Sequence, residues 1–418
     1  MQRTLPLAIV ITLLACSAYG ASSPVLAYTF VCKGKQAGTC PDGNGANSLI
    51  QGSDGNFYGT AVSSGSKAGG QTLFGGTVFS LTPAGKFTLL YTFAPGAKNN
   101  FANGAGPVSL TEGPDGNLYG LTVDGGNDYN PSQFAYGFGV VFRISKTGSG
   151  FKVIHKFCSD ELYTCKDGVY PVGALLVGTD GNIYGATSEG GTGSHCPGGG
   201  CGTIFRVTPS SGAYEVVYSF NLLTDGELPQ GLTPASDGSF YGITVNGGRL
   251  FHYTPMSEAF DSVALPFPLP QGCPGFACFA ASVLSFGPNG NLYGFYTVYD
   301  EPGVGLFGIQ ADGSNLKLFP DAVSFGPELL LASDSNFWYP SVGTSGYGDV
   351  ISLSPADGKV LQTLSPFSPS APVGAYPAVL IQAKDGTLWG ATSAYGNAPK
   401  GDRGSGTIFS LSAGLPPR

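Results

Sequence analysis

One heptapeptide returns along this chain, and it constrains the fold more than any other feature. "PDGNLYG" (114–120) comes back as "SDGNFYG" (53–59), "TDGNIYG" (179–185), "SDGSFYG" (236–242) and "PNGNLYG" (288–294). Two more divergent copies follow, "SDSNFWY" (333–339) and "KDGTLWG" (384–390). Around the first copy, "NSLIQGSDGNFYGTAV" (47–62) reads as an apolar strand, a tight Asp-Gly turn and an aromatic strand. Asp-Gly favours such turns because Gly accepts positive φ at no steric cost. After a Gly-rich loop, "GGTVFSLTPAGKFTLLYTF" (75–93) supplies a third strand, a Pro-Ala-Gly turn and a fourth strand. Four strands per unit and seven units, spaced by 45 to 65 residues, predict an all-β, seven-bladed β-propeller with four-stranded blades. The last unit stops after its third strand, "GTIFSLS" (406–412), while "LAYTF" (26–30) stands alone near the N-terminus. The N-terminal strand is therefore expected to close the last blade and remove an open edge. The recurring turn Asp is expected to form the turn rather than to catalyse or bind metal.

Composition agrees with that reading. With 67 Gly and only 11% charged residues, the chain is poorly suited to amphipathic helices, while 42% hydrophobic residues are enough for a packed core. A net charge of −8 with only 19 Lys and Arg argues against nucleic acid, which requires a positive stripe to displace counterions.

The N-terminus, "MQRTLPLAIVITLLACSAYGASS", places Arg3 before a short apolar run from Leu5 to Leu14. That run falls well short of the ~20 residues a membrane span needs, and it reads as a secretory signal over 1–20. "AYG" (18–20) offers a cleavage site, and "LLAC" (13–16) is similar to a bacterial lipobox whose Cys16 would be lipidated. The mature propeller would then run from 24 to 418. Nine Cys are present. Setting Cys16 aside leaves four near-neighbour couples: Cys32 with Cys40, Cys158 with Cys165, Cys196 with Cys201, and Cys273 with Cys278. In an exported chain these are expected to be local disulfides, each contributing about 2 kcal/mol by restraining its loop. Their spacings, with three His in the whole chain, suit no zinc pattern, and no metal is expected there.

The unit "DGNLYG…GG…GTVFRLTP.G…LYSF" resembles the GloVer repeat family of bacterial exported proteins. The resemblance runs from about residue 24 to the end, although units five and six depart from it ("FGIQADG", "NFWYPS"). It implies an extracytoplasmic propeller with a lipobox or other anchor, and it carries no catalytic residues. "GPDGNLY" followed by "FRIS" is also similar to propellers of the streptogramin-lyase type, a fold-level likeness that transfers no chemistry.

Strands in a blade alternate direction, so the connections sort onto two faces. Turns between strands one and two, and three and four, are short and alike; the others are long, variable and hold all four Cys couples. Loops on a rigid scaffold commonly carry binding sites, so the long-loop face is the expected site. Five residues past the motif aromatic, the second strands end on Ser63, Asp124, Glu189, Asn246 and Ala394, with Asp300 near the same level. Asp124 and Glu189, on neighbouring blades, are candidate acid and base for glycoside cleavage. With further oxygens they would suit calcium, the one cofactor left open. The plainer alternative is that they cap Gly turns and face water. His195, inside the Cys196–Cys201 loop, and Arg249, beside a Gly pair, are the other catalytic candidates, with Arg249 able to neutralise an anion. His155 and His252 read as strand residues. Tyr136 stands for the aromatics of these loops, which suit sugar rings or a protein partner.

The expected ligand contacts are Asp124, Tyr136, Glu189, Asn246, Arg249 and Asp300. The leading expectation is a monomeric exported or surface-anchored propeller that binds a carbohydrate or other extracellular ligand through this face. The alternatives are a glycoside hydrolase or polysaccharide lyase, and an envelope scaffold with a protein partner. No contact with nucleic acid is expected, and contact with membrane only through an N-terminal lipid.

Overall fold

The computed structural model describes residues 23–31, 40–61, 65–68, 71–95, 101–126, 137–159, 164–196, 199–266, 279–281, 283–298, 304–319, 328–341, 346–394 and 405–418. Seven antiparallel sheets follow one another in chain order, each meandering outward from an inner strand, and together they form the propeller. The second blade shows the plan: Ala105–Glu112 innermost, then Leu118–Asp124, Val140–Ile144 and Lys152–Lys156. Burial follows position in the blade. The second strand is buried along most of its length, because both sheet faces meet neighbouring blades, whereas the fourth strand is only partly covered.

The ring closes as the sequence implies. Val25–Thr29 pairs antiparallel with Thr407–Leu411, completing the blade begun by Ala375–Gln382 and Leu388–Ala394. The blades are less uniform than the repeats suggest. In the fourth, the inner strand is broken into Glu227–Pro229 and Thr233–Pro234, in the fifth into Phe279–Ala281 and Ser285–Phe286, and in the sixth its described part is Leu330–Leu331. An extra hairpin, Gly65–Ala68 with Gln71–Phe74, rises from the first blade between its second and third strands.

The Asp, Asn, Tyr and closing Gly of the repeated heptapeptide each have a role in its turn. Asp115 accepts the Asn117 amide at 3.2 Å, the Asn117 side chain at 2.7 Å and the Tyr119 hydroxyl at 3.0 Å. Asp54 and Asp180 do the same with Asn56 and Tyr58 and with Asn182 and Tyr184. In the sixth blade Asp334 takes Asn336 and the Trp338 indole N–H. Burial alone would raise Asp115, but the hydrogen bonds from Asn117 and Tyr119 together hold it below the usual carboxylate value. The closing Gly is needed for space: a Cβ on Gly120 would run into the Phe142 ring and lie 2.7 Å from the Ser109 carbonyl.

A second recurring device joins blade to blade on the long-loop face. The outer-strand ring of one blade stacks on an outer-strand ring of the next: Tyr28 on Phe87 at 4.1 Å, Tyr91 on Phe151 at 3.7 Å, His155 on Tyr214 at 3.6 Å and Tyr218 on Phe260 at 3.6 Å. Such pairs add about 1 kcal/mol each beyond area burial. The polar end of each ring is held by the loop into the next blade. Tyr28 and Tyr218 each donate to a buried carboxylate, Asp42 and Asp225, at 2.6 Å. Asn103 donates to Tyr91 at 3.1 Å, and His155 Nε2 lies 2.9 Å from Asp167. His155 thus fills the place of a clasp tyrosine.

Cys158–Cys165 and Cys196–Cys201 are disulfides, and Cys40 is also disulfide-bonded. These are bonds of an oxidising, extracytoplasmic environment. Cys16, Cys32, Cys273 and Cys278 lie outside the described residues.

Candidate functional site

The long-loop face opens where the inner strands begin, and one backbone feature recurs there. Two residues after a positive-φ Gly (Gly43, Gly104, Gly168, Gly226, Gly374), five blades again adopt positive φ: Gly45 (65°), Gly106 (62°), Tyr170 (55°), Leu228 (59°) and Tyr376 (58°). In four of them proline follows one position on (Pro107, Pro171, Pro229, Pro377), where its fixed φ suits the strand start and its missing N–H is no loss. The bulged residue ties blades together. The Gly106 amide donates to Gly75 O at 2.9 Å, Leu228 to Cys201 O at 3.2 Å, and Tyr376 to Tyr347 O at 2.7 Å. Gly occupies this conformation freely, whereas a side chain there costs about 1–2 kcal/mol.

Tyr170 and Tyr376 accept that cost while remaining 44% and 36% exposed. Their carbonyls are held by Ser188 Oγ at 3.2 Å and Ser393 Oγ at 3.3 Å, from the adjacent second strands. Each ring has an aromatic neighbour on the preceding blade: Phe138 lies 6.1 Å from Tyr170, and Tyr347 lies 6.3 Å from Tyr376.

Ladder pairing fixes the acids beside this ring. Asp124 pairs with Ala105, and Glu189 pairs with Val169, next to Tyr170. Burial pushes the Asp124 carboxyl up to about 6. The Tyr170 hydroxyl is raised first by burial, then by the charges of Glu189 and Asp124. Asp124, Tyr170 and Glu189 therefore form one electrostatic group on the second and third blades. A carboxyl raised towards neutral pH is able to take up and release a proton under working conditions.

The other expected residues separate from this group. Asn246 donates to the buried Glu227 at 2.6 Å, and Glu227 itself lies 4.0 Å from the Cys201 sulfur. Arg249 points outward along its blade rather than into the mouth: its guanidinium donates to the Ser262 hydroxyl at 3.0 Å and to the Ser262 carbonyl at 3.2 Å, on the fourth strand. His195 is exposed, with Nδ1 3.0 Å from Ser194 Oγ, which also receives Asn221 at 2.8 Å. His252 pairs with Asp261 at 3.1 Å on the outer strand. Ser63, Tyr136 and Asp300 lie outside the described residues. Among the described residues no three His, Cys, Asp or Glu side chains come together as metal ligands. Tyr376 escaped sequence reasoning. The signal was a Tyr in "VGAYP" where "NGAGP" carries Gly, which becomes visible once the inner strands are aligned on the preceding Gly.

Solved structures of quite different kinds share the fold of this wheel. A catalytically inactive virginiamycin B lyase from Staphylococcus aureus, solved with quinupristin, superposes with a TM-score of 0.55 at 15% identity, covering 90% of this chain and 97% of that one. The WD40 repeats of RRP9 superpose with a TM-score of 0.51 at 11% identity, covering 94% and 100%. A fungal alcohol oxidase in complex with copper reaches 0.51 at 10% identity, covering 90% of this chain and 74% of that one. At such identities the likeness is one of fold alone. No curated protein matches the sequence. The model of the Gloeobacter/Verrucomicrobia repeat matches residues 45–307, well over half of the chain, and the protein belongs to that bacterial repeat family.

Proposed function

We propose that this is an exported propeller that binds a carbohydrate through the mouth of its long-loop face. The observation that carries the reading is the exposed Tyr170 ring, flanked by Asp124 and Glu189. A sugar presents an apolar ring face and a rim of hydroxyls; the tyrosine covers the first and the carboxylates accept from the second. The acids also disfavour a polyanionic chain such as a uronate. Export would use the N-terminal signal, ending either after residue 20 or at a lipidated Cys16, and the mature protein would act as a monomer.

A second reading has one specific observation behind it. Asp124, raised to about 6, is suited to act as a general acid with Glu189 as its partner, as in glycoside hydrolysis. The purified, oxidised protein should be screened against immobilised glycans and soluble polysaccharides, with bound ligand and released product measured together. Binding without product supports the binding protein, product supports the enzyme, and silence in both assays rejects the sugar reading in favour of a protein partner.

A further inference from the structure

We propose that Tyr170 and Tyr376 are the two ends of a clamp for a neutral oligosaccharide chain laid across the axial mouth. This inference rests on the sugar-binding reading and names its ligand class. The two tyrosines occupy the same bulge position in the third and seventh blades, where the first and second blades have Gly45 and Gly106. Glycine would serve the fold there without strain. Two large rings held at φ 55° and 58°, yet 44% and 36% exposed, are strained side chains whose exposed faces suit contact outside the fold. Each has a second ring beside it from the preceding blade, Phe138 edge-on to Tyr170 and Tyr347 tilted against Tyr376, which holds the tyrosine in place.

Going round the wheel, the third and seventh blades are three steps apart one way and four the other, the widest separation in a seven-fold ring. A ligand touching both must cross the mouth, which selects a chain over a single sugar. The ends differ. Asp124 and Glu189 flank Tyr170, whereas the residue matching them beside Tyr376 is Ala394, paired with Ala375. The chain therefore has its hydroxyl-reading end at the third blade and its stacking end at the seventh. Leu228, the third side chain among the described residues at this bulge position, lies in the blade next to Tyr170.

The test is calorimetric titration with cello- and chito-oligosaccharides from disaccharide to heptasaccharide, on the wild type and on Tyr170→Gly and Tyr376→Gly. The wild type should gain about tenfold or more in affinity from the shortest to the longest chain of the series that binds. Each variant should flatten that dependence. Affinity that is independent of length, or unchanged in both variants, overturns the clamp and leaves sugar binding standing; no binding by either series or in the glycan screen removes both. Thermal melting gives a check that needs no ligand. Because glycine relieves the strained backbone, both variants should melt no lower than the wild type, and a clear fall would show that the rings serve packing instead.

Discussion

The two faces of the wheel are made by the same strands and follow opposite rules. On the short-turn face, the turn carboxylates repeat one set of local bonds: Asp54, Asp115 and Asp180 each hold the Asn two residues on and the Tyr four residues on. One geometry imposes one solution, and the same residues return blade after blade. On the long-loop face the equivalent positions at the ends of the second strands read Asp124, Glu189, Asn246 and Ala394. The backbone there is alike in the second and third blades, where Thr122 and Thr187 donate to the Asp124 and Glu189 carbonyls at 2.9 and 2.8 Å, but the side chains differ from blade to blade, and exposed Tyr170 stands beside two of the carboxylates. Structure is repeated where the fold requires it, and side chains vary where it does not.

The harshest way to break this comparison is to strike the repeated face. Gly120→Val places a branched side chain against Phe142 and the Ser109 carbonyl and should cost about 3 kcal/mol by overpacking, read by denaturant unfolding. Asp115→Ala removes the acceptor of Asn117 and strands the Tyr119 hydroxyl, for a loss of about 2 kcal/mol. Both should lower stability while leaving ligand affinity of the surviving folded protein unchanged. Altered affinity in a folded Asp115→Ala protein would show that the faces are coupled.

What was legible in the sequence follows the same division. The heptapeptide and the orphan "LAYTF" were enough for seven blades and for closure by Val25–Thr29 on Thr407–Leu411, because turn chemistry and strand count are local and repeat. Asp124 and Glu189 were legible as neighbours because register carries over from blade to blade. Arg249 was not, since sequence spacing fixes the level of a side chain along a strand but not whether a longer side chain folds outward, here onto Ser262. The clasps of Tyr28 with Asp42 and Tyr218 with Asp225 were also hidden, because each joins residues of variable separation, 14 and 7 positions apart.

A milder intervention sharpens the comparison from the other side. Replacing Cys196 and Cys201 together by Ala frees the loop whose backbone is bonded to the mouth, Gly190 N to Gly199 O at 2.7 Å and Gly202 N to Gly190 O at 3.0 Å. The loss should be about 2 kcal/mol, the chain-entropy value for so short a loop. Hydrogen exchange should speed up at Gly190 and Gly202 while the Asp180 turn stays protected. If the Asp180 turn loosens as well, the faces are not independent units.

The smallest effect tests the site itself. Burial raises the Asp124 carboxyl from 3.8 to about 6, so ionisation is harder in the folded protein than in the unfolded chain. The folded state is therefore penalised above pH 6, progressively less down to about pH 4, and not at all below both values. Asp124→Asn removes the charge and should stabilise the protein at pH 7.5 by roughly 1 kcal/mol once partial exposure is allowed for, with no gain at pH 4. Sugar binding should titrate with a midpoint near 6 in the wild type and become pH-independent in the variant over that range. A variant less stable than the wild type at both pH values would make the carboxylate a structural cap of its Gly pair, and the mouth would lose its acidic end.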